Sequence, residues 1–573
     1  MFGLHWIDIV ALGMYFIGIT VIGVWSARGV KTLSQFVMPR KFGKIMMIMH
    51  SFGTGTHSDQ AVSVASKTFT SGLSGIWYQW MWLFATPFYW LMAPMMRRFR
   101  ALTTADVFEA RFDRSVSVLY VLVGLVKYMI GIGMMLKGTG VIIEATTGGE
   151  LPENLMIVVM TAMFLIYGLA GGLSSAIVTD FVQSILTILF SFILLPLVLK
   201  AVGGISGMRE SLPEITGRDD MLSLVAPGEI GVFFILIIAI NSLLGVVIQP
   251  HNMGTTSAGK TEIEGAVGFM GGNMIKRICT VAWCLTGLAA LVYYKGEIEH
   301  PDQVYGMMAR EFLPIGMLGV FIAALLATVM GSCDSFMIAS SGLFTRNIYQ
   351  LWQPEKSQAH YLWVARASAL IVVAGGVFLA YTAEGIIKML EQMWKVDAMM
   401  AMAFWLGIFW RRTTVVGAWS ATLGALLVWA ISSQAWFAGW LGGFSWAING
   451  GVVREIVTDG VPVHEIWLPW QMLAYISAGF AVGIIASLFS TSVAPQKLEA
   501  FYNLLRTPIQ PGEVIDKPCQ LPDGMKPGAR NVFFPSTQFE IPRPTWLAMS
   551  GFIIAWLIVV GIIGSVWLWV ADK

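Results

Sequence analysis

Residues 50–60 read HSFGTGTHSDQ and gather two histidines, an aspartate and a glycine-threonine run in a chain that is 56% hydrophobic and 12% charged. Each of these residue types offers chemistry. Glycine and threonine are weak helix formers, so the run Gly53, Thr54, Gly55, Thr56 can interrupt a helix and leave carbonyl oxygens exposed. Carbonyl and hydroxyl oxygens are the donors a hard cation takes. His57 can hydrogen-bond an anionic or hydroxylated solute, and with Asp59 and Asp334 it can relay protons, since histidine titrates near neutral pH. Irregular backbone at membrane depth is tolerated only where it is enclosed by protein or lines a watery cavity. Broken helices near the midplane are how many secondary transporters build their sites. The plainer alternative is that 44–60 is a loop and His57 a packed histidine.

Three further polar stretches interrupt apolar sequence. In TVMGSCDSFMIASSGLFTRNIY (328–349), Gly331, Ser332, Asp334 and Ser335 fall within one span. A serine there can simply bond back to its own helix, but an ionisable Asp334 is costly in a span and tends to face a cavity or a partner. In GGLSSAIVTDFVQ (171–183), Asp180 reads either as an inward-facing group or, with Thr179, as a helix N-cap near the membrane surface. In KMLEQMWK (388–395), Lys388, Glu391, Gln392 and Lys395 share one helical face, suited either to a vestibule or to an ion-pair seam.

The elements that must position these residues are membrane helices. The chain has 573 residues and a mean hydropathy of +0.71. A soluble protein carries roughly 25% charged residues, about twice the content here. The fold class expected is an all-α polytopic membrane protein of about 14 transmembrane helices, including separate spans at 154–171 and 179–200. A net charge of +2 argues against nucleic acid as a partner. The four cysteines show no metal spacing and no disulfide framework. The first apolar run, 6–26, lacks the marks of a cleaved signal peptide and is expected to be retained.

Lysine and arginine cluster in alternate loops, beginning with SARGVKTLSQFVMPRKFGK and then RRFR at 97–100. The positive-inside rule then places the N-terminus outside, and an even number of spans places the C-terminus outside too. Residues 1–490 form the expected transporter body in the cell's inner (plasma) membrane. The Pro-rich segment 491–545 reads as a cytoplasmic linker and 546–573 as an additional C-terminal transmembrane helix. The Gly-rich stretch 437–451 is a candidate outer lid.

Three motifs, taken together and in order, resemble the sodium:solute symporter family, which includes sodium/galactose, sodium/proline and sodium/sialic acid transporters. GLAGGLSSAIVTDFVQ is similar to the family's G-G-x-x-(A/S)-x-x-x-T-D-x-x-Q segment. ATVMGSCDSFMIASSGLFTRNIY resembles its serine-rich helix, and LGIFWRRTTVVGAWSA its G-x-F-W-(K/R)-(K/R)-x-T-x-x-G-A segment. The resemblance implies a leucine-transporter-type 5+5 inverted-repeat core, with repeats at about 45–200 and 230–410. HSFGTGTHSDQ becomes the break in the first helix of the first repeat.

Carried over by position, the sodium ligands implied are the carbonyls of Gly53, Thr56 and Thr328 and the hydroxyl of Ser332, with Asp180 on the inner ion path. The chain departs from the pattern at Gly331, where sodium-coupled members usually have serine. Thr56, Asp334 or a water is then needed as a replacement donor. For the solute, the resemblance points to Gln60, Gln79 and Lys276, while Leu244 and Leu390 stand where the galactose transporter has an asparagine and a glutamine. Glu391 and Gln392 lie beside the latter, and His57 joins the set from its place at the break.

The function expected is Na⁺-coupled symport of a small polar solute (a sugar, sugar acid, amino acid or carboxylate) by alternating access, with Na⁺ as coupling ion and the lipid bilayer as surroundings. Proton-coupled symport and a symporter-like solute sensor are the alternatives. No nucleophile or metal constellation points to an enzyme.

Overall fold

The computed structural model describes the chain apart from residues 1–2, 27–35, 37, 39, 227, 384, 459–460, 511–512, 514, 516 and 572–573. Most of the first basic loop therefore lies outside the described residues. Most of the rest is helix. Helix α1 (Trp6–Ser26) leads to α2 (Lys44–Gly55) and α3 (Ser58–Ser71), which are two halves of one broken element. Then come α4 (Thr86–Arg98), α5 (Thr104–Arg111), α6 (Arg114–Thr147) and α7 (Glu153–Ala201). A second broken element follows, α8 (Val232–Val246) and α9 (Pro250–Ser257), bent by 68°. Long helices α10 (Glu262–Tyr293), α11 (Met317–Phe344), α12 (Gln358–Thr382) and α13 (Ile386–Phe409) complete the centre. Around it lie α14 (Val415–Ser432), α15 (Leu468–Leu488), the short α16 (Pro495–Arg506) and α17 (Trp546–Ala571).

Among the described residues, nine helices are long and apolar enough to cross a membrane, or ten if the bent pair is one span. The expected count of about 14 is not reached by that criterion because the functional helices are broken or polar. The expected spans at 154–171 and 179–200 are one continuous helix, α7, of 49 residues. Glycine weakens a helix by only about 1 kcal/mol, and no proline falls between the two apolar stretches to end it. Thr179 and Asp180 are therefore mid-helix and fully buried, and the N-cap reading is corrected.

Both breaks have a local cause. At the first, α2 runs out in Gly53-Thr54-Gly55, and Thr56 and His57 are extended (φ −124°, ψ 113° and φ −130°, ψ 159°) before α3 restarts. At the second, Pro250 occupies the first turn of α9, where its missing N–H costs nothing. Proline also pushes the preceding residue out of the helical region, and Gln249 is extended accordingly.

Helices α2 and α3 pack on α10, α2 also on α7, and α11 packs on α7 and α6. This arrangement buries the polar stretches among Met, Phe and Ala side chains. Outside the core, α14 and α15 pair. A hairpin of β1 (Val453–Thr458) and β2 (Val461–Ile466), in antiparallel register Val453↔Ile466, sits on the short helices of the Gly-rich stretch through Ala438, Ala447, Val453 and Ile466.

The 491–545 segment is fastened to the body. Phe501 stacks on Phe99 at 5.7 Å, the Arg100 guanidinium meets Glu513 at 2.6 Å, and Arg506 meets Glu540 at 2.9 Å. Helix α17 lies on α4, where Gly551 faces Trp90 so closely that a Cβ would come within 2.2 Å of the indole.

Candidate ion and solute sites at the two helix breaks

The first break is bridged to α11. Ser332 Oγ donates to the Gly53 carbonyl at 3.0 Å, and lies 3.5 Å from that of Thr54. Thr56 Oγ1 is buried with no hydrogen-bond partner among the described residues, and Thr56 shares a small cavity with Thr328. Thr328 Oγ1 itself bonds back to the Leu325 carbonyl of its own helix at 2.7 Å. The five residues expected from the sequence as ion ligands, Gly53, Thr56, Thr328, Ser332 and Asp180, thus come together where α2, α7 and α11 meet.

Gly331 explains the shape of this junction. A Cβ there would lie 2.3 Å from Asp180 Oδ1 and 2.8 Å from Gln183 Oε1. Both of those oxygens are buried without a hydrogen-bond donor among the described residues. The hydroxyl missing at position 331 is matched by a carboxylate and an amide oxygen filling the same space. The other carboxylate oxygen of Asp180 receives His50 Nδ1 at 2.7 Å, and Thr54 Oγ1 lies 3.2 Å from Ser335 Oγ. Hydroxyl, carboxylate and amide oxygens without donors among the described residues, those of Thr56, Asp180 and Gln183, beside the Gly53 carbonyl are a donor set for a hard cation. Among the described residues, no group of three His, Cys, Asp or Glu side chains offers a transition-metal site. Asp334 is buried in the same helix one turn on.

Beyond the break lies a cavity of ≈ 60 Å³ between the two broken elements. His57, Gln60 and Lys276 line it, with Arg277 from α10, Gln249 and His251 from the second break, and Lys127 from α6. His57 Nδ1 lies 2.7 Å from Asp59 Oδ1. A carboxylate accepts, so Nδ1 carries a proton toward it, and Nε2 lies 3.3 Å from the Gln60 amide nitrogen. Lys276 Nζ donates to the Gly55 carbonyl, the last residue of α2. Opposite, Asp397 of α13 forms an ion pair with Lys127 Nζ at 2.5 Å and accepts from Gln249 Nε2 at 2.7 Å. This one carboxylate ties α6, α13 and the second break together.

The remaining sequence candidates fall elsewhere. Gln79 is fully buried, its carbonyl accepting from Arg277 Nη1 at 3.0 Å, and it does not line the cavity. Glu391 accepts from Tyr78 OH at 3.1 Å outside the lining, and Gln392 is exposed. Lys395, on the same stripe, is buried. Sequence reasoning missed His50, Gln183, Lys127, Gln249, His251, Arg277 and Asp397. A charged residue inside an apolar span was the available signal for Lys127, Arg277 and Asp397.

Comparison with known proteins agrees with this geometry. Residues 35–424 match the sodium:solute symporter family. The chain is 23% identical over 473 residues to the osmoregulated proline transporter of Bacillus subtilis, covering 78% of this chain and 94% of that one. It is 22% identical over 462 residues to the sodium/glucose cotransporter of Vibrio parahaemolyticus, covering 73% and 83%. The solved structure of a Na⁺-coupled sialic acid symporter superposes with TM-score 0.68 at 17% identity, covering 85% of this chain and 98% of that one. A nucleobase-cation-symport-1 family transporter superposes with TM-score 0.52 at 12% identity, covering 83% and 99%. The fold is thus of the leucine-transporter type, and the relatives are transporters rather than enzymes. On the match over most of its length, this multi-pass membrane protein belongs to the sodium:solute symporter family.

Proposed function

We propose that the protein is a secondary active transporter that couples inward movement of Na⁺ to uptake of a small polar solute across the plasma membrane, with both termini outside. The observation that carries this reading is the junction of Ser332 with the Gly53 carbonyl, which joins the first broken helix to α11 beside buried oxygens of Thr56, Asp180 and Gln183 that lack donors among the described residues. Gly53, Thr56, Thr328, Ser332 and Asp180 hold the ion, and Gln183 joins them in place of the absent hydroxyl at 331.

A cation held there fastens α2 to α11 and sets the end of α2. The carbonyl at that end, Gly55, is where Lys276 reaches across the solute cavity. Ion occupancy therefore favours the conformation that binds solute, and the coupling is reciprocal. An inside-negative potential of 100 mV adds about 2.3 kcal/mol per charge moved inward. His57, Gln60 and Lys276 contact the solute. Gln79, Glu391 and Gln392 enter only if another conformation brings them round.

The test is uptake into proteoliposomes under an inward Na⁺ gradient, with choline as the control. Accumulation above the outside concentration only with Na⁺ supports the reading; equal uptake in choline sinks it. A proton is the second candidate as driving ion, favoured by the buried His50–Asp180 contact beside Gly331. Accumulation driven by a pH gradient without Na⁺ selects it.

A further inference from the structure

The cavity between the breaks is unusual in its charge. Three cationic side chains line it, Lys127, Lys276 and Arg277, with two histidines, and no aspartate or glutamate is in the lining. Lys127 is neutralised from behind by Asp397. Lys276 and Arg277 are 5% and 1% exposed, and neither has a carboxylate within ion-pair distance among the described residues. Asp59, the acid that bears on Lys276, bonds His57 through Oδ1 and lies outside the lining, and it forms no ion pair with Lys276 among the described residues.

What the two cations do have is partial. Lys276 Nζ spends one of its three protons on the Gly55 carbonyl. Arg277 donates from Nη1 to the Gln79 carbonyl and from Nη2 to Asn273 Oδ1 at 3.4 Å, the neutral Tyr89 hydroxyl also bonds the guanidinium, and Arg277 Nε is buried with no partner among the described residues. The Trp82 ring lies 5.7 Å from Lys276 Nζ and 5.8 Å from the Arg277 guanidinium. Carbonyl dipoles and a ring face soften a buried charge but do not cancel it, and an unpaired buried ion is strongly unfavourable. Two such ions side by side at membrane depth are more so.

We propose that the solute is a small organic carboxylate, and that its negative charge is the missing counter-ion of Lys276 and Arg277. This rests on the symport reading above and narrows its solute class. Both side chains line the cavity, and the N–H donors left over, two on Lys276 and the Nε of Arg277 with the remaining N–H of its Nη atoms, suit a carboxylate that accepts from several donors at once. The cavity's apolar walls, Trp82, Val246, Phe336 and Met393, give the rest of the solute a non-polar surface, which favours an organic anion over inorganic phosphate. The size fits a small one, since a cavity of ≈ 60 Å³ holds the centres of only about four waters. A free sugar leaves both cations unpaired. An amino acid adds an ammonium group for which the lining has no carboxylate.

The test uses the full-length protein in lipid nanodiscs and thermal unfolding with matched pairs: propionate and propionamide, lactate and lactamide, gluconate and glucose, with proline and inorganic phosphate alongside. Each is run in Na⁺ and in choline. At least one carboxylate is expected to raise Tm while its neutral partner does not. Arg277→Gln and Lys276→Gln are expected to weaken that carboxylate on the order of tenfold or more, with Arg277→Lys recovering part of the loss.

Stabilisation by glucose, proline or an amide without its acid overturns the proposal and leaves the symport reading intact. So does a response to phosphate alone, silence toward every carboxylate, or undiminished carboxylate binding in both Gln variants. A carboxylate response equal in Na⁺ and choline keeps the proposal and removes sodium coupling. The matched pairs on the unmodified protein decide the question even where a variant does not fold.

Discussion

Gly331 and Asp180 approach so closely that no side chain fits between them: a Cβ on residue 331 would sit 2.3 Å from Asp180 Oδ1. The resemblance implies a serine at this position in members that couple to sodium, so the simple expectation is that restoring the hydroxyl strengthens ion binding. The geometry predicts the reverse. Gly331→Ser and Gly331→Ala should both destabilise by about 1–3 kcal/mol, the usual cost of overpacking, and both should weaken Na⁺ dependence of uptake. Thermal unfolding and sodium titration of uptake check this. A serine variant with higher sodium affinity would show that Asp180 is not held against α11.

Ser332 donates to the Gly53 carbonyl across the first break. Ser332→Ala removes the proposed ion ligand and the bridge together while leaving the helix a good former. The half-saturating Na⁺ concentration should rise by about tenfold or more, equivalent to about 1.4 kcal/mol or more, with the maximal rate less affected. Sodium dependence of uptake at fixed solute is the measurement.

Lys127 and Asp397 form a buried pair, with side chains 3% and 6% exposed. Removing one partner leaves the other charge buried alone, which costs about 3–5 kcal/mol. Lys127→Met should therefore be severely destabilising. The double change Lys127→Met with Asp397→Leu should be milder than either single change. Unfolding of the three variants forms a double-mutant cycle, and additive losses would mean that the pair is not coupled.

Glu499 on α16 touches Arg411 at 2.5 Å and Arg506 at 3.1 Å. The hydrogen bond from Arg411 is the main reason its carboxyl is held below its ordinary value of 4.5. A depressed carboxylate stabilises the fold above its unfolded pKa and loses that contribution as pH falls through the folded value. The contact should therefore persist at neutral pH and weaken only in acid below 4.5. Because Glu499 is half exposed, the effect is small. Amide exchange across 495–506 should be faster in Glu499→Gln than in the parent at neutral pH, and the two should converge in acid.

Much of this protein was legible along the chain, for local reasons. Apolar length defined the membrane class, and Gly53-Thr54-Gly55-Thr56 marked the first break because weak helix formers act where they stand. The three motifs identified the family because each is short and contiguous. Tertiary structure decided what lies across the break. His50 meets Asp180 over 130 residues of sequence, and Ser332 meets Gly53 over 279; no periodicity encodes such pairings. The stripe Lys388, Glu391, Gln392, Lys395 was rightly one helical face, yet only packing determines how that face is turned: Lys395 is buried and Gln392 exposed. Residues 171–183 allowed a helix start at Asp180, and contact of α7 with α1, α2 and α11 carried the helix through instead. Arg277 reads in isolation as one more charge near a lysine. Its meaning comes from what surrounds it, because the cost of a buried charge is set by the dielectric and the partners of its site, which the fold alone supplies.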